Sequence, residues 1–283
     1  MLNDKTSNRN TSSMIEHIQA PPPAPFDTIA SSYDEVYDNT IVTRHLRQIF
    51  WDCLMRHFKP GEHILEVNCG TGTDAIYLAK QGIRVTALDA SSKMIEVAER
   101  KSRELRLDNM ISFYHLKTED INKLSTVNKF DGAYSNFGGL NCVAGMPKFI
   151  EDLQSILKPG SYFIGSILNT LCPYEIIAFL LRGKFGGAFR RFHIGGVEAN
   201  IGGDRIHVWY YSPQQYAKMM DRYFEYKKTT TLSIFSPPPN SIELAARKPK
   251  LTKSLLKLDD TINTIVPFYM LGDHFIIEAE KRE

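Results

Sequence analysis

The sequence is poor in cysteine and contains no long apolar run. Its 283 residues include four cysteines, and no two of them stand in C-x-x-C spacing. This pattern argues against the usual zinc sites and disulfide frameworks, so we expect no metal centre and a reducing compartment. No apolar stretch reaches the roughly 18–20 residues of a membrane span, and the N-terminus lacks a signal-peptide pattern. We therefore expect a cytoplasmic protein without a membrane partner.

The sequence also lacks a strong excess of charge. The formal net charge is +2, with 43% hydrophobic and 23% charged residues, as in ordinary globular proteins. Nucleic-acid binding usually requires a clustered basic face, so no nucleic-acid partner is expected. A chain of this length fits one large α/β domain or a domain with a sizeable insertion.

The first 25 residues differ in composition from the rest of the chain. Residues 1–20 are polar and rich in Ser, Asn and Thr, and a proline-rich stretch follows over residues 21–25. Such a segment offers little apolar surface to offset the entropy lost on ordering. We predict a disordered or loosely attached tail over residues 1–25 and a folded domain over residues 26–283.

The most informative segment is residues 64–79, ILEVNCGTGTDAIYLA. An apolar strand pattern that carries one acid, Glu66, meets a glycine turn at residues 69–72, and a helical pattern follows at once. This is the local geometry that holds a nucleoside-containing ligand, because glycine lets the backbone approach the ligand without a Cβ. The acid would repel a pyrophosphate and attract an ammonium or sulfonium group.

Strand and helix patterns alternate regularly around this turn. Strands are predicted at 63–68, 84–88, 111–116, 130–135 and 161–168, and helices or helical turns at 73–81, 91–105, 119–125 and 146–157. The alternation implies a parallel sheet with right-handed crossovers.

The rhythm changes after residue 168. The sequence predicts a β-hairpin with Gly202 and Gly203 in its turn, then a helix that begins at Pro213. Two further strands are predicted at 225–235 and 274–280, with helical stretches between them. These last strands would form an antiparallel end of the sheet.

Asp89 ends the second predicted strand, in the segment VTALDASSKMIEVA. An acid at this position can accept two hydrogen bonds from ribose hydroxyls. Nicotinamide-binding folds also place an acid here, so Asp89 supports a ribose without selecting the ligand.

These segments together resemble those of the class I S-adenosylmethionine-dependent methyltransferases, in particular small-molecule members of types 11 and 25. Asn68 and Thr73 depart from the family pattern, which usually has a glycine and a small residue there. The resemblance implies a Rossmann-like, doubly wound α/β sheet of seven strands, mostly parallel with the last strand antiparallel, and S-adenosyl-L-methionine as cofactor. The matching segments are the acid and glycine turn at 66–72, D-x-S-x-x-M at 89–94, D-x-x-x-L at 120–124, F-D at 130–131, L-K-P-G at 157–160 and F-D-x-x-A-x-x-Y-D at 26–34.

The resemblance also implies which residues hold the cofactor. Glu66 would act by its charge near the amino-acid end, Met94 would pack against the adenine, and Asp120 or Glu119 would recognise the adenine amino group. Other readings stay open, since Met94 suits an ordinary helix face, Tyr33 a core aromatic and Asp120 a helix cap. The full implied set is Tyr33, Glu66, Asn68, Cys69, Gly70, Asp89, Ala90, Met94, Glu119, Asp120, Ile121 and Asn136.

Residues 169–211 are predicted to form a substrate lid, because the sheet is committed to the cofactor and variable segments over its carboxyl edge choose the substrate. The aromatic residues of the lid suit a flat or apolar small molecule, or else form a small core of their own. Its arginines, Arg182, Arg190 and Arg191, could meet an acidic substrate. An oxygen or nitrogen acceptor can need a base, and His193 and His207 are the candidates.

Four functions remain open from the sequence. The first is methyl transfer by in-line displacement to O, N or C of a small molecule. The second, methylation of RNA or protein, is disfavoured by the near-neutral charge and by Asn-Phe-Gly-Gly at 136–139 in place of N-P-P-Y. The others are a non-catalytic module that binds S-adenosylmethionine and a nicotinamide-dependent oxidoreductase. The sequence does not indicate an oligomeric state.

Overall fold

The computed structural model describes residues 24–126, 129–201, 203–239 and 241–283. The predicted tail therefore lies outside the described residues, except for Ala24 and Pro25. Pro25 begins a 3₁₀ turn, Pro25–Thr28. The first described helical turn thus includes a residue that the sequence assigns to the tail.

Seven strands form one sheet, and two more form a separate hairpin. Most predicted strands agree within one or two residues at each end. In chain order the strands are β1 (His63–Val67), β2 (Arg84–Asp89), β3 (Ile111–His115), β4 (Phe130–Ser135), β5 (Leu157–Leu168), β6 (Val197–Ile201), β7 (Asp204–Val208), β8 (Phe224–Leu232) and β9 (His274–Lys281).

Helices connect the strands and cover both faces of the sheet. A π-helical turn (Asp34–Asp38) and 3₁₀ turns at Thr118–Thr126, Gly139–Cys142, Arg190–Phe192 and Phe268–Met270 complete the described elements. The α-helices are α1 (Ile41–His57), α2 (Thr73–Lys80), α3 (Ser92–Glu104), α4 (Met146–Ile156), α5 (Pro173–Leu181), α6 (Phe185–Ala188), α7 (Pro213–Met220), α8 (Ile242–Arg247) and α9 (Pro249–Ile262).

The order of strands in the main sheet is β3–β2–β1–β4–β5–β9–β8. Strands β1 to β5 are parallel to their neighbours, whereas β9 runs antiparallel to both β5 and β8. This confirms the predicted Rossmann-like sheet of seven strands with an antiparallel last strand. Strand β5 begins four residues before its predicted start, because Leu157 pairs with Phe130 ahead of a register shift.

The hydrophobic core lies in two layers, one on each face of the sheet. Adjacent residues of β1 point to opposite faces, so Ile64 packs with Phe50 of α1 and Leu65 packs with Phe149 of α4. Because both faces of the sheet are covered, side chains on either face of the central strands are buried. The sequences of these strands are therefore nearly continuous apolar runs.

The carboxyl ends of β1, β2 and β4 meet at one edge, where open α/β sheets bind ligands. The chain leaves β1 through the glycine turn and enters α2 immediately. Gly72 is required in this turn, since its φ is +75° and a Cβ there would lie 2.9 Å from Cβ of Ala98. The glycine turn and helix α3 are therefore in close contact at this edge of the sheet.

Residues 169–211 contain α5, α6 and the hairpin of β6 and β7, which stands apart from the main sheet. The predicted hairpin is confirmed, with Ile201 paired to Asp204 across the turn; Gly202 itself lies outside the described residues. Within the described ranges no helix is long and apolar enough to cross a membrane. In the same ranges no three His, Cys, Asp or Glu side chains are grouped so as to hold a metal ion.

Candidate active site

A cavity of about 440 Å³ opens at the carboxyl ends of β1, β2 and β4. This volume lies within the roughly 300–1,000 Å³ that is usual for small-molecule and cofactor sites. Its walls come from the N-terminal segment before α1, the glycine turn, the loops that follow β2, β3 and β4, and strand β7. The site is therefore assembled from segments that are far apart in the sequence.

Asp89 lines the cavity at the end of β2 and holds the glycine turn in place. Its Oδ2 accepts a hydrogen bond from Gly70 N at 2.8 Å, and its Oδ1 accepts one from Ser91 N at 2.8 Å. Each carboxylate oxygen keeps a further acceptor position for a ribose hydroxyl. Burial raises the pKa of the Asp89 carboxyl, and the two backbone N–H groups oppose that rise. Added donors from a ligand would favour the charged carboxylate further.

Gly70 leaves room for a ligand beside Asp89. Its φ is +53°, and no heavy atom of the described residues lies within 4 Å of the place where a Cβ would stand. Because Gly70 lines the cavity, a side chain at this position would extend into the open space. The turn thus forms a cradle that a Cβ would partly fill.

Asn68 stands where a glycine is usual in this turn, and its conformation shows why asparagine is tolerated there. It adopts a left-handed conformation with φ of 61°, which asparagine tolerates better than most residues. Its Oδ1 accepts a hydrogen bond from Thr118 Oγ1 at 2.5 Å, which ties the turn to the loop after β3. A Cβ on Gly139 would lie only 2.6 Å from Cβ of Asn68, so the two positions depend on each other.

A buried ion cluster, which the sequence analysis missed, lies under the glycine turn. Arg47 of α1 donates to Asp74 Oδ1 at 2.6 Å and to Asp38 Oδ1 at 2.7 Å. Asp74 also accepts from Trp51 Nε1 at 2.7 Å and from Asn136 Nδ2 at 3.0 Å. Arg47, Asp38, Asp74 and Asn136 all line the cavity. Two features of the sequence could have indicated this cluster. Arg47 is a charged residue on the apolar face of α1, and Asp74 is an acid directly after the glycine turn.

Glu66 lies beneath the cavity and is not among its lining residues. Its side chain is buried, and Oε2 has no hydrogen-bond partner among the described residues. Burial, together with the nearby Asp74 carboxylate, raises the pKa of Glu66 well above its ordinary value. A cation bound nearby would favour the charged form again. The predicted role of Glu66 through its charge stays a prediction.

Three acids of the N-terminal segment fasten that segment across the cavity. They come from the 26–34 motif and the π-helical turn, and each accepts a hydrogen bond from an element on the cofactor side. The bonds are Ser91 Oγ to Asp27 Oδ1 at 2.5 Å, Lys101 Nζ to Asp34 Oδ2 at 2.5 Å and Thr73 Oγ1 to Asp38 Oδ2 at 3.0 Å. Tyr33 lies on this segment and lines the cavity.

Most of the cofactor residues implied by the resemblance come together at the cavity. Three do not line it: Glu66 lies beneath it, Asp120 faces Lys123 in an ion pair of 3.1 Å at the surface, and Ile121 is buried in the core. Of the two acids left open at this loop, Glu119 is the one that reaches the cavity. The predicted residues that line it are Tyr33, Asn68, Cys69, Gly70, Asp89, Ala90, Met94, Glu119 and Asn136.

The two candidate histidines lie in different places. His207 of β7 lines the cavity beside Trp209, with a ring-centroid distance of 4.3 Å. His193 follows the 3₁₀ turn Arg190–Phe192, is exposed and is not among the lining residues. Both histidines are exposed, and of the two it is His207 that lines the cavity.

The arginines of the lid are not arranged for an acidic substrate in the way that the sequence suggested. Arg191 is 4% exposed and donates to Glu175 Oε2 and Asp273 Oδ1, both at 2.6 Å. Arg190 donates to the same Glu175 carboxylate at 2.7 Å. Both guanidinium groups are thus engaged within the protein, and Arg191 ties the lid to Asp273, the residue before β9. Arg182 is exposed at the surface.

The fold and the site define a Rossmann-like domain that holds a nucleoside-containing cofactor over the carboxyl edge of its sheet. Comparison with known proteins agrees. Residues 58–175 match the family described as "Methyltransferase domain". The demethylmenaquinone methyltransferase of Symbiobacterium thermophilum is 32% identical over 149 residues, which cover 49% of this chain and 55% of that protein. The chain thus spans little more than half the length of such relatives.

Solved structures share the fold at low sequence identity. The [4+2]-cyclase SpnF superimposes with a TM-score of 0.59 and 16% identity, over 94% of this chain and 98% of that one. The geranyl diphosphate C-methyltransferase of Streptomyces coelicolor A3(2), solved with S-adenosyl-L-homocysteine, gives a TM-score of 0.55 and 14% identity, over 84% and 80%. Residues 58–175 thus match a methyltransferase domain, and the fold around them is similar to that of the class I S-adenosylmethionine-dependent methyltransferases. The open Gly70 cradle and the spare acceptor positions of Asp89 fit the cofactor of that family.

Proposed function

We propose that this protein transfers the methyl group of S-adenosyl-L-methionine to a small-molecule acceptor, at an oxygen, nitrogen or carbon atom. The observation that carries the proposal is one continuous cavity. It is lined by the cofactor residues Gly70 and Asp89 and also by Phe137 and Trp209, which lie outside the cofactor motifs. A small acceptor and the cofactor would therefore share one cavity.

The protein would act mainly by binding and orientation. Bound S-adenosylmethionine supplies an activated methyl group on a positively charged sulfur. Asp89 would hold the ribose, Gly70 and its neighbouring amides would line the amino-acid end, and the fastened N-terminal segment would exclude water. Holding two reactants in the right geometry is worth roughly 7–11 kcal/mol of the barrier.

The remaining walls favour a flat, largely apolar acceptor. Phe26, Phe137, Val143 and Trp209 contribute apolar surface from four separate segments. Apolar pockets with a few polar groups select ligands by shape and by burial of their surface. The relative from Symbiobacterium is named for a quinone substrate, which is flat and apolar. This supports an aromatic or quinone-like acceptor here.

His207 is the candidate base. Its Nε2 lies 2.6 Å from the carbonyl oxygen of Gly195, which can only accept a hydrogen bond. Nε2 must therefore carry a proton, and in the neutral ring Nδ1 is then left as the acceptor. An acceptor molecule in the cavity would lose its proton to Nδ1. A positioned base of this kind contributes roughly 10²–10⁴-fold to the rate.

Two measurements test the proposal in sequence. Calorimetry with S-adenosylhomocysteine and, in parallel, with NADH should give binding of the former alone. Transfer of a labelled methyl group should then be followed with a panel of phenols, quinols and small amines, beside total RNA and a protein extract. Label in a small molecule supports the proposal. Label in RNA or protein alone, or binding without turnover on any acceptor, would favour the alternatives raised by the sequence.

The variant His207→Gln isolates the role of the base. Its amide nitrogen can still donate to Gly195 O, so the loop stays in place, but the side chain cannot take up a proton at neutral pH. We expect kcat to fall by about 10²–10⁴-fold with unchanged affinity for S-adenosylhomocysteine. His193→Gln, on the exposed loop, is the matched control and should keep full activity. Equal rates in both variants would remove His207 from the mechanism.

A further inference from the structure

The outer face of the lid carries an unusual concentration of exposed apolar side chains. Seven of the fifteen large apolar residues that are exposed in the described chain lie between residues 177 and 194. Leu181 is 83% exposed, Phe185 66% and Ile194 100%. Scattered single residues of this kind are normal on protein surfaces, whereas a cluster marks an interaction site. We call this cluster, on α5, α6 and the turn that follows, the lid patch.

The elements of the lid patch pack together into one unit. A Cβ on Gly187 of α6 would lie 2.7 Å from the ring of Phe179 of α5, so the two helices are in close contact. The rings of Phe189 and Phe192 are 6.2 Å apart, and Arg190 lies over the ring of Phe179 at 5.6 Å. The exposed apolar groups therefore stand on one supported surface. They are not the side chains of a freely extended loop.

The charged residues within the segment of this patch have one sign, and the nearest acid after it, Glu198, is in an ion pair with Arg205. Residues 176–197 contain Arg182, Lys184, Arg190 and Arg191 and not one acid. Arg182 and Lys184 are exposed and form no ion pair with any residue that the structure describes. The nearest acid before the segment, Glu175, is buried and engaged by Arg190 and Arg191. Apolar side chains interleaved with unpaired basic groups fit an anionic lipid surface, where both contributions favour binding.

We propose that the lid patch docks the protein on the surface of an anionic lipid bilayer. The apolar side chains would enter the boundary between headgroups and acyl chains, and Arg182 and Lys184 would meet lipid phosphates. The loop that carries Ile194 continues to Gly195, whose carbonyl bonds to His207 on the cavity wall. Docking would therefore place the lipid surface next to a wall of the cavity. This proposal differs from the sequence-based expectation that the protein has no membrane partner.

Vesicle sedimentation with the full chain tests this proposal. Vesicles of phosphatidylcholine with about one third phosphatidylglycerol should carry the wild-type protein down, pure phosphatidylcholine much less, and high salt should weaken the binding. The double variant Leu181→Asp, Ile194→Asp should lower the partition coefficient by at least about tenfold. Arg182→Gln with Lys184→Gln should lower it by about fivefold for each charge removed.

A matched control uses two exposed leucines of α9. Leu251→Asp with Leu258→Asp introduces the same charges at residues that are 52% and 46% exposed, and its partition should equal that of the wild type. All variants alter exposed side chains, and unchanged thermal unfolding and S-adenosylhomocysteine binding would show that they fold. No sedimentation of the wild type with anionic vesicles would overturn the proposal. The proposal would also be overturned if analytical ultracentrifugation showed a dimer of the wild type that dissociates in the lid-patch variants, since the patch would then bind a second copy. None of these measurements needs methyl transfer, so they stand or fall separately from the proposed function.

Discussion

The cofactor side of the cavity and the lid contain the same kind of buried ion cluster, but the two clusters have different roles. Each contains a buried arginine that bridges two carboxylates: Arg47 joins Asp38 to Asp74, and Arg191 joins Glu175 to Asp273. The Arg47 cluster lines the cavity, whereas the Arg191 cluster lies outside its lining and ties the lid to the sheet. The comparison teaches that buried charge in this fold is not by itself a sign of a binding site.

The two sides also differ in how their polar and apolar groups are placed. Around the glycine turn, polar groups from distant segments are paired across the cavity, and the apolar groups are in the core. In the lid, Arg190 and Arg191 are paired with carboxylates inside, and apolar side chains face outward. The first arrangement presents a preorganised polar site, and the second presents a surface that something else can cover.

The largest expected effects come from breaking the two arginine bridges. Arg47→Met and Arg191→Met should each lower the free energy of unfolding by about 3–5 kcal/mol, because two buried carboxylates lose their partner. The exposed Arg100→Met should cost less than about 1 kcal/mol and serves as the control. Chemical denaturation measures all three.

Cofactor affinity then separates the two bridges. Calorimetry with S-adenosylhomocysteine at a temperature where all variants are folded should show weaker binding for Arg47→Met and wild-type binding for Arg191→Met. Equal losses in both would mean that the lid cluster shapes the cofactor site, which would remove the contrast drawn here.

The next effect concerns the ribose. Asp89→Ala should weaken S-adenosylhomocysteine binding by about 1.5–3 kcal/mol, through loss of charged hydrogen bonds. Asp89→Asn keeps an acceptor oxygen and should lie between alanine and wild type. Asp120→Ala, at the acid that faces Lys123 outside the cavity, is the matched control and should bind normally. An unchanged affinity of Asp89→Ala would show that the ribose site has been misplaced.

The smallest expected effect is a difference between the lid and the cofactor side in their sensitivity to acid. Burial alone would raise the pKa of Asp273, but Arg191 and His274 hold it well below its ordinary value. The stability that Asp273 contributes is therefore present above its unfolded pKa of about 3.9 and is lost as pH falls below it. The pKa values of Glu66 and Asp89 are raised by burial, so their contribution is fully present at low pH and declines as pH rises through the folded values.

The lid should consequently loosen before the cofactor side when the protein is acidified. The chain has two tryptophans, Trp51 under the glycine turn and Trp209 in the lid. Fluorescence of Trp209 in a Trp51→Phe background should change below about pH 4. Fluorescence of Trp51 in a Trp209→Phe background should change at lower pH. Coincident transitions would show that the two regions open as one unit.

Much of the fold could be predicted because its signals are local. The alternation of apolar strands with helical patterns gave the order of elements from residue 63 to residue 168, and the glycine turn located the cofactor edge. Asp89 and Gly70 follow from their position at strand ends, since the carboxyl ends of parallel strands meet at one edge, whereas Met94 was implied by the resemblance. These residues act through backbone geometry that their neighbours in sequence determine.

The residues that were missed act through partners far along the chain. Arg47 and Asp74 are 27 positions apart, and the spacing of either residue does not identify the other as its partner. Asp120 matched a motif, yet a short 3₁₀ turn directs its neighbour Glu119 to the cavity. Arg190 and Arg191 suggested a substrate contact, because their partners Glu175 and Asp273 could not be identified from spacing.

The class of fold, the edge of the sheet where the cavity opens and the acid at the end of β2 could all be predicted from the sequence, because strand period, glycine conformation and charge are local properties. Only the tertiary structure decided which charges pair inside, which histidine reaches the cavity and which apolar side chains stay uncovered. Those outcomes depend on distances between segments that are remote in the chain, and pairing or exposure is a property of both partners at once.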